Sequence, residues 1–93
     1  MKGASKLKIP GGKLISIKLE YSSTIDDIQI LGDFFLHPEE SLQKIEKGLV
    51  GMPVRSGKVA MEQRIKAIAE ENGIEMMGIT PQAICKAIEM AVQ

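Results

Sequence analysis

The chain has no tryptophan, and phenylalanine and tyrosine together make up only 3% of its 93 residues. A stacking platform for single-stranded nucleic acid needs several exposed rings, so that class of function is disfavoured from the outset. Cys85 is the single cysteine, which excludes an internal disulfide and a cysteine-rich metal or cluster site made by this chain alone. His37 is the single histidine, so a hydrolytic triad has only one imidazole to draw on. No apolar run approaches the roughly 20 residues that span a bilayer. The N-terminus is basic, but no continuous apolar segment of the signal-peptide kind follows it. Net charge is missing too: twelve lysines and arginines balance twelve aspartates and glutamates. No whole-molecule field therefore draws nucleic acid or membrane. The sequence reads as cytoplasmic, with no nucleic acid and no membrane among its partners.

What is present fits one small domain, residues 1–93. At this length folding hides only about two-thirds of the surface of the unfolded chain. The hydrophobic share of 44% is thus committed to a modest core, with little left to wall a deep pocket. Charge is unevenly placed. Lys2, Lys6, Lys8, Lys13 and Lys18 all precede the first acid, Glu20. Such an arm reads first as a solvated, partly mobile terminus and second as a contact for an anionic ligand or partner.

The first 36 residues carry strand signals. Leu7-Lys8-Ile9 is a short extended piece, and Pro10-Gly11-Gly12 is a turn. From Lys13 the pattern alternates, with Ile15, Ile17, Leu19 and Tyr21 on one face and Ser16, Lys18 and Glu20 on the other. That period of two marks a strand with one buried side. After a Ser22-Ser23 turn, Ile28 and Ile30 resume the alternation, and Gly32, Phe34 and Leu36 keep the same parity. The expectation is one long second strand, kinked or bulged at Gly32.

The remainder carries helix signals. Pro38 suits a first helical position, and Glu39 and Glu40 suit the positive end of the helix dipole. Leu42, Ile45 and Leu49 form a stripe, with Gly48 or Gly51 as the stop and Met52-Pro53 as a break. A second helix is expected from about Ser56 to Asn72, with Met61, Ile65, Ile68 and Ala69 inward and Gly73 ending it. Thr80-Pro81 is an N-cap followed by proline at the first helical position, and the third helix sets Ile84, Ile88 and Val92 on one face. The fold class is α+β: a small antiparallel sheet of N-terminal strands covered on one face by about three helices.

Catalytic equipment is scarce. His37 precedes a proline and belongs at a strand-to-helix corner on the surface. Cys85 falls on the inner stripe of the third helix, where a thiol is buried and inert. Asp26, Asp27 and Asp33 do not make a metal site, since neighbouring strand residues point to opposite faces. Gly48-Leu49-Val50-Gly51 copies the spacing of an RNA-clamping G-x-x-G loop, but its inner residues are apolar and Met52-Pro53 follows at once. Pro10-Gly11-Gly12-Lys13 is too short for a phosphate-binding loop and leads into a strand. Met76-Met77, beside Gly78, is the one methionine pair with the look of an exposed contact. No catalytic residue is assigned.

Three stretches taken together resemble a known family. Ile9-Pro10-Gly11-Gly12-Lys13 opens the hairpin, Ile30-Leu31-Gly32-Asp33-Phe34-Phe35-Leu36 closes it, and Pro38-Glu39 through Ile45-Glu46, Leu49 and Gly51 follows. This order resembles the accessory, C-terminal-type domain of lipoate-protein ligases, with its PGGK turn, GDFF strand end and a helix ending E-x-x-L-x-G. The likeness is strong over residues 9–51 and looser beyond, where Gly78-Ile79-Thr80-Pro81 precedes the last helix. Because the sequence starts at its own Met1, it looks like the separate small subunit of a two-chain ligase; a fragment of a longer chain is the other reading.

The resemblance implies a large catalytic subunit as partner in a heterodimer, holding lipoate, ATP and Mg, with nothing bound by this chain alone. It implies activation of lipoate to lipoyl-AMP. Transfer to a lysine follows, on a lipoyl domain of a 2-oxoacid dehydrogenase E2 or on a glycine-cleavage H protein. Gly11, Gly12, Lys13, Asp33, Phe34 and Phe35 are placed at or near the partner contact, with Phe35, off the apolar parity, pointing outward. Two other readings stay open: a scaffold or sulfur-carrier-like domain of iron–sulfur assembly, which needs an exposed reactive Cys85, and a small RNA-binding module.

Overall fold

A computed structural model of the chain describes residues 1–9, 11 and 13–92, and of Phe35 the backbone. Among these residues the elements run β1 (Lys2–Lys8), β2 (Leu14–Tyr21), β3 (Ile25–Gly32), β4 (Phe35–His37), α1 (Ser41–Leu49), α2 (Lys58–Glu71), β5 (Glu75–Met77) and α3 (Pro81–Ala91). β1, β2 and β3 form an antiparallel sheet in that order, and β4 and β5 form a separate antiparallel ribbon. α3 lies against β1 and β2, α1 lies against β3, and α2 packs on both of these helices. The α+β architecture expected from the sequence is the one observed.

The alternation in β2 fixes which way the sheet faces. Ile15, Ile17, Leu19 and Tyr21 are buried, and Ile25, Ile28 and Ile30 of β3 meet them from the next strand. Ile25 differs in parity from Ile28 and Ile30, yet all three are inside. A register shift opposite Glu20 and Tyr21 reconciles them: Glu20 faces Asp27 and Tyr21 faces Ile25, leaving Asp26 as the extra residue. The bulge thus sits at Asp26 rather than at Gly32, and it returns Ile25 to the core.

At Gly32 the chain does something else. The long second strand expected there ends, and Phe35–His37 pairs with Glu75–Met77 instead, Phe35 opposite Met77 and His37 opposite Glu75. A side chain at Gly32 would run into the Phe34 ring and the Leu14 carbonyl oxygen. That contact lets Phe34 fold back into the core, where it is buried, and turns the next residues off the sheet. The sequence shows no sign of β5, because the four residues between Gly73 and Gly78 are too few to show a period.

The lysine-rich arm is not a mobile terminus. Every residue from Lys2 to Lys8 is in β1, paired with β2 from Glu20 to Leu14. The alternation missed there is real, since Gly3, Ser5 and Leu7 are half-buried and Lys2, Ala4, Lys6 and Lys8 exposed; the small inward side chains hid it. Helix starts also move. Ser41 N–H donates to the Pro38 carbonyl at 3.0 Å, closing a turn before α1, and the helical ladder begins when Lys44 N–H reaches the Glu40 carbonyl at 3.3 Å. Glu39 and Glu40 therefore precede the first turn, which holds no acid. Ser41, not Leu42, joins Ile45 and Leu49 as the fully buried stripe, and Leu42 is half-buried. α2 starts at Lys58 after Gly57 and ends at Glu71, with Asn72 as its cap. α3 is capped as expected, the Thr80 hydroxyl accepting from Ala83 N–H at 3.1 Å with Pro81 at the first position. No helix among the described residues is long and apolar enough to cross a membrane.

The bulge makes a discriminating prediction. Asp26→Ala leaves an exposed bulge intact and changes stability little, whereas deleting Asp26 rotates Ile25 to the outer face. Exposing one isoleucine costs about 2–3 kcal/mol, and urea denaturation of the two variants will show that gap.

Candidate partner-contact site

Two of the three stretches that carry the resemblance, the β1–β2 turn and the 30–36 segment, meet at one end of the molecule, whereas the third runs along α1 to Gly51, whose N–H bonds the Ile25 carbonyl at the other end of the sheet. The β1–β2 connection is closed by Ile9 N–H donating to the Lys13 carbonyl at 2.7 Å. Gly11 lies in it, exposed and with φ of 99°. Gly12 falls outside the described residues. Across from this turn, one Asp33 carboxylate oxygen accepts from Leu14 N–H at 2.8 Å, and Asp33 N–H donates back to the Leu14 carbonyl at 3.4 Å. A strand end that would otherwise fray is thereby locked by a charge-assisted bond.

Lys13 is half-buried, and its stem explains why. A Cβ added to Gly78 would lie 3.4 Å from Lys13 Cε and 3.6 Å from Phe34 Cβ. The lysine chain therefore runs over Gly78 beside Phe34, burying its methylenes there. Gly78 has φ of 84°, a left-handed conformation that L side chains avoid. The structure thus brings together Lys13, Asp33, Phe34 and the Gly78 turn that leads from β5 to α3. Phe34 is the inward member of the aromatic pair; the Phe35 side chain, expected to point out, lies outside the described residues.

The Asp33 carboxyl is held below its ordinary pKa, first by the Leu14 N–H bond, against a smaller desolvation effect, with its own backbone N–H and the Lys13 charge adding to the depression. Sequence reasoning overlooked Leu14 and Leu31, both exposed on the outer face of the sheet at this same end, at 41% and 47%. Their signal was available: each is an apolar residue at a polar-parity position. Met77, at 53%, is the exposed member of the expected methionine pair, and Met76 is half-buried.

Elsewhere the titratable groups offer little chemistry. His37 is exposed at the β4–α1 corner. Cys85 is 2% exposed, and its thiol faces the Lys58 carbonyl at 3.5 Å. Burial pushes its pKa up, as do the carboxylates of Glu89 and Glu62, with Lys58 opposing. Such a thiol is a poor nucleophile. Asp26 and Asp27 are both exposed, and among the described residues no group of three or more His, Cys, Asp or Glu is placed to hold a metal ion.

The fold and this end of it define a small α+β module in which Lys13, Asp33 and Phe34 meet the Gly78 turn. No protein-family model and no curated protein matches the chain. A solved structure does: the chain is similar to one from Thermoplasma acidophilum, described as part of "an archaeal lipoylation system", "a bi-partite lipoate protein ligase and its E2 lipoyl domain". Identity is 27%, the TM-score is 0.78, and the match covers 95% of this chain and 94% of that one. The two chains are therefore of nearly equal length.

Two measurements follow from the geometry. In an NMR titration the Asp33 carboxyl midpoint falls below that of an unstructured aspartate, and the Leu14 amide shift follows the same curve. The sign is fixed by which form accepts the bond: the stabilisation is complete above the unfolded value and fades as pH drops through the depressed folded one. A midpoint at or above the unfolded value would remove the bond. For Cys85, a thiol reagent reacts far more slowly with native protein than with protein in urea; equal rates would reopen the iron–sulfur reading.

Proposed function

We propose that this chain is the non-catalytic small subunit of a two-chain lipoate-protein ligase. The large subunit binds lipoate, ATP and Mg, forms lipoyl-AMP, and passes the lipoyl group to a lysine of a lipoyl domain. The observation that carries this reading is the end-to-end likeness to a chain of the archaeal lipoylation system, at 27% identity over 95% of the residues. It is supported by the approach of Lys13, Asp33, Phe34 and Gly78 to one another, the first three of which lie in stretches that carry the family resemblance.

The same system contains a lipoyl domain, which is the acceptor and needs a freely displayed lysine. Lys13, the lysine on the hairpin turn, has its stem laid over Gly78 and beside Phe34, which favours the ligase side. With its thiol buried and no metal cluster among its described residues, the chain works by ordering its partner. A module that closes over the large subunit's site excludes water and fixes the lipoate carboxylate against the α-phosphate.

The test is lipoate-dependent AMP formation by the large subunit with and without this chain. The expected result is no turnover by this chain alone and a rate at least about tenfold higher for the pair, a modest share of what positioning supplies. A large subunit that runs equally fast alone would end the proposal. A lipoyl group found by mass spectrometry on a lysine of this chain would make it the acceptor instead.

A further inference from the structure

The two edges of the main sheet are treated differently. On β3, which forms one edge, Ile30 N–H donates to a Glu46 carboxylate oxygen of α1 at 2.7 Å. Ile25 N–H donates to the Met52 carbonyl at 2.9 Å, and Gly51 N–H to the Ile25 carbonyl at 2.7 Å. That edge is capped at Ile30 by a side chain and at Ile25 by the turn after α1.

β1 forms the other edge. The ladder parity is set at its start, where Met1 and Tyr21 exchange both bonds, each 2.8 Å. It is set again at its end, where Ile9 N–H reaches the Lys13 carbonyl. Odd-numbered residues therefore bond β2, and the N–H and C=O groups of Lys2, Ala4, Lys6 and Lys8 point away from the sheet. No described residue hydrogen-bonds the outward groups of Ala4, Lys6 or Lys8. α3 approaches β1 from below, through Ser5 Oγ donating to the Ala87 carbonyl, and leaves the edge clear.

An unpaired edge of this length is a template for another strand. Its charge selects the occupant. Lys6 and Lys8 stand on the edge strand and Lys18 beside them on β2, none in an ion pair with a described residue; only Lys2 is paired, to Glu20 at 3.6 Å. A second copy of the chain would set lysine against lysine, an unfavourable cross-strand pairing. Carboxylates at alternate positions of an incoming strand would meet these lysines directly.

We propose that the outward edge of β1 receives an extended, acidic strand of a protein partner, by strand addition at Ala4, Lys6 and Lys8. That this partner is the large subunit of the ligase rests on the function proposed above; the open edge does not.

Lys6→Pro tests it, because the Lys6 N–H faces outward and its loss spares the β1–β2 ladder. The variant should keep its circular dichroism and bind the large subunit about tenfold or more weakly, the loss expected when strand-to-strand hydrogen bonds go unmade. A Lys6→Glu, Lys8→Glu protein gives the same loss at low salt without any proline. Undiminished binding by both variants overturns the proposal and leaves the proposed function standing. Should the large subunit fail to bind even the wild-type chain, that function falls, and the edge is read with a synthetic peptide alternating glutamate and valine. Slowed amide exchange at Ala4, Lys6 and Lys8 upholds strand addition, and unchanged exchange overturns it. A chain that dimerises through β1 also overturns it, since the occupant would be a second copy.

Discussion

Everything in this molecule is arranged about β2. Its backbone is bonded on both sides, odd residues to β1 and even residues to β3. Its side chains divide just as cleanly, isoleucine, leucine and tyrosine inward and Leu14, Ser16, Lys18 and Glu20 outward. A single strand therefore decides which face the helices must cover and which stays wet. A one-residue slip would exchange the two faces, so the register is held at three places. These are the Met1–Tyr21 pair, the Asp33–Leu14 lock and the Asp26 bulge. The helices then have one apolar surface to meet, and Ile45, Ile65, Ile84 and Ile88 complete it.

How far this was legible depended on the length of each pattern. β2 shows its period over eight residues, and it was read correctly down to the buried set. α2 and α3 carry stripes and caps of known chemistry, and both were placed to within two residues. What failed was short or disguised. In β1 the inward positions are glycine, serine and leucine, so the alternation is one of size more than polarity. In β3 the bulge breaks parity, and the sequence offers no mark of it beyond the Asp26-Asp27 pair. β4 and β5 are three residues each, and their pairing spans some forty residues of chain, which no local pattern can reveal. The candidate contact residues were legible only through resemblance: nothing in the spacing of Lys13, Asp33 and Gly78 announces that they converge.

The balanced net charge conceals a segregation that the fold makes visible. The strands contribute Lys2, Lys6, Lys8 and Lys18 to the outer face and the β1 edge, against Glu20 and Asp27. Clusters of acid lie elsewhere, with Glu39 and Glu40 before α1, Glu70 and Glu71 ending α2, and Glu75 on β5. Over distances beyond a Debye length of about 10 Å these groups are screened from one another. A partner that meets the outer face of the sheet therefore meets a basic surface, and zero net charge says nothing about it. This also explains why the composition argument against nucleic acid and the argument for a protein contact do not conflict. Lysines interspersed with Leu14 and Leu31 suit a mixed interface better than a phosphate backbone, which rewards charge alone.

The open edge and the convergent end are neighbours, and that adjacency gives the proposed function a physical route. β1 stops at Lys8 and the chain turns through Gly11 to Lys13, so a strand added along β1 runs straight into the turn. A partner segment bonded at Ala4, Lys6 and Lys8 would have its next residues beside the turn at Gly11, with β1 and β2 between it and Asp33. Strand addition fixes direction and register at once, since side chains of the incoming segment must alternate with those of β1. A loop continuing from such a segment would lose most of its freedom, and a loop held in one place is what an adenylating site needs if it is to exclude water. On the proposed function, a domain with a buried thiol, one exposed imidazole and no metal cluster among its described residues would contribute to chemistry through the entropy it removes from another chain.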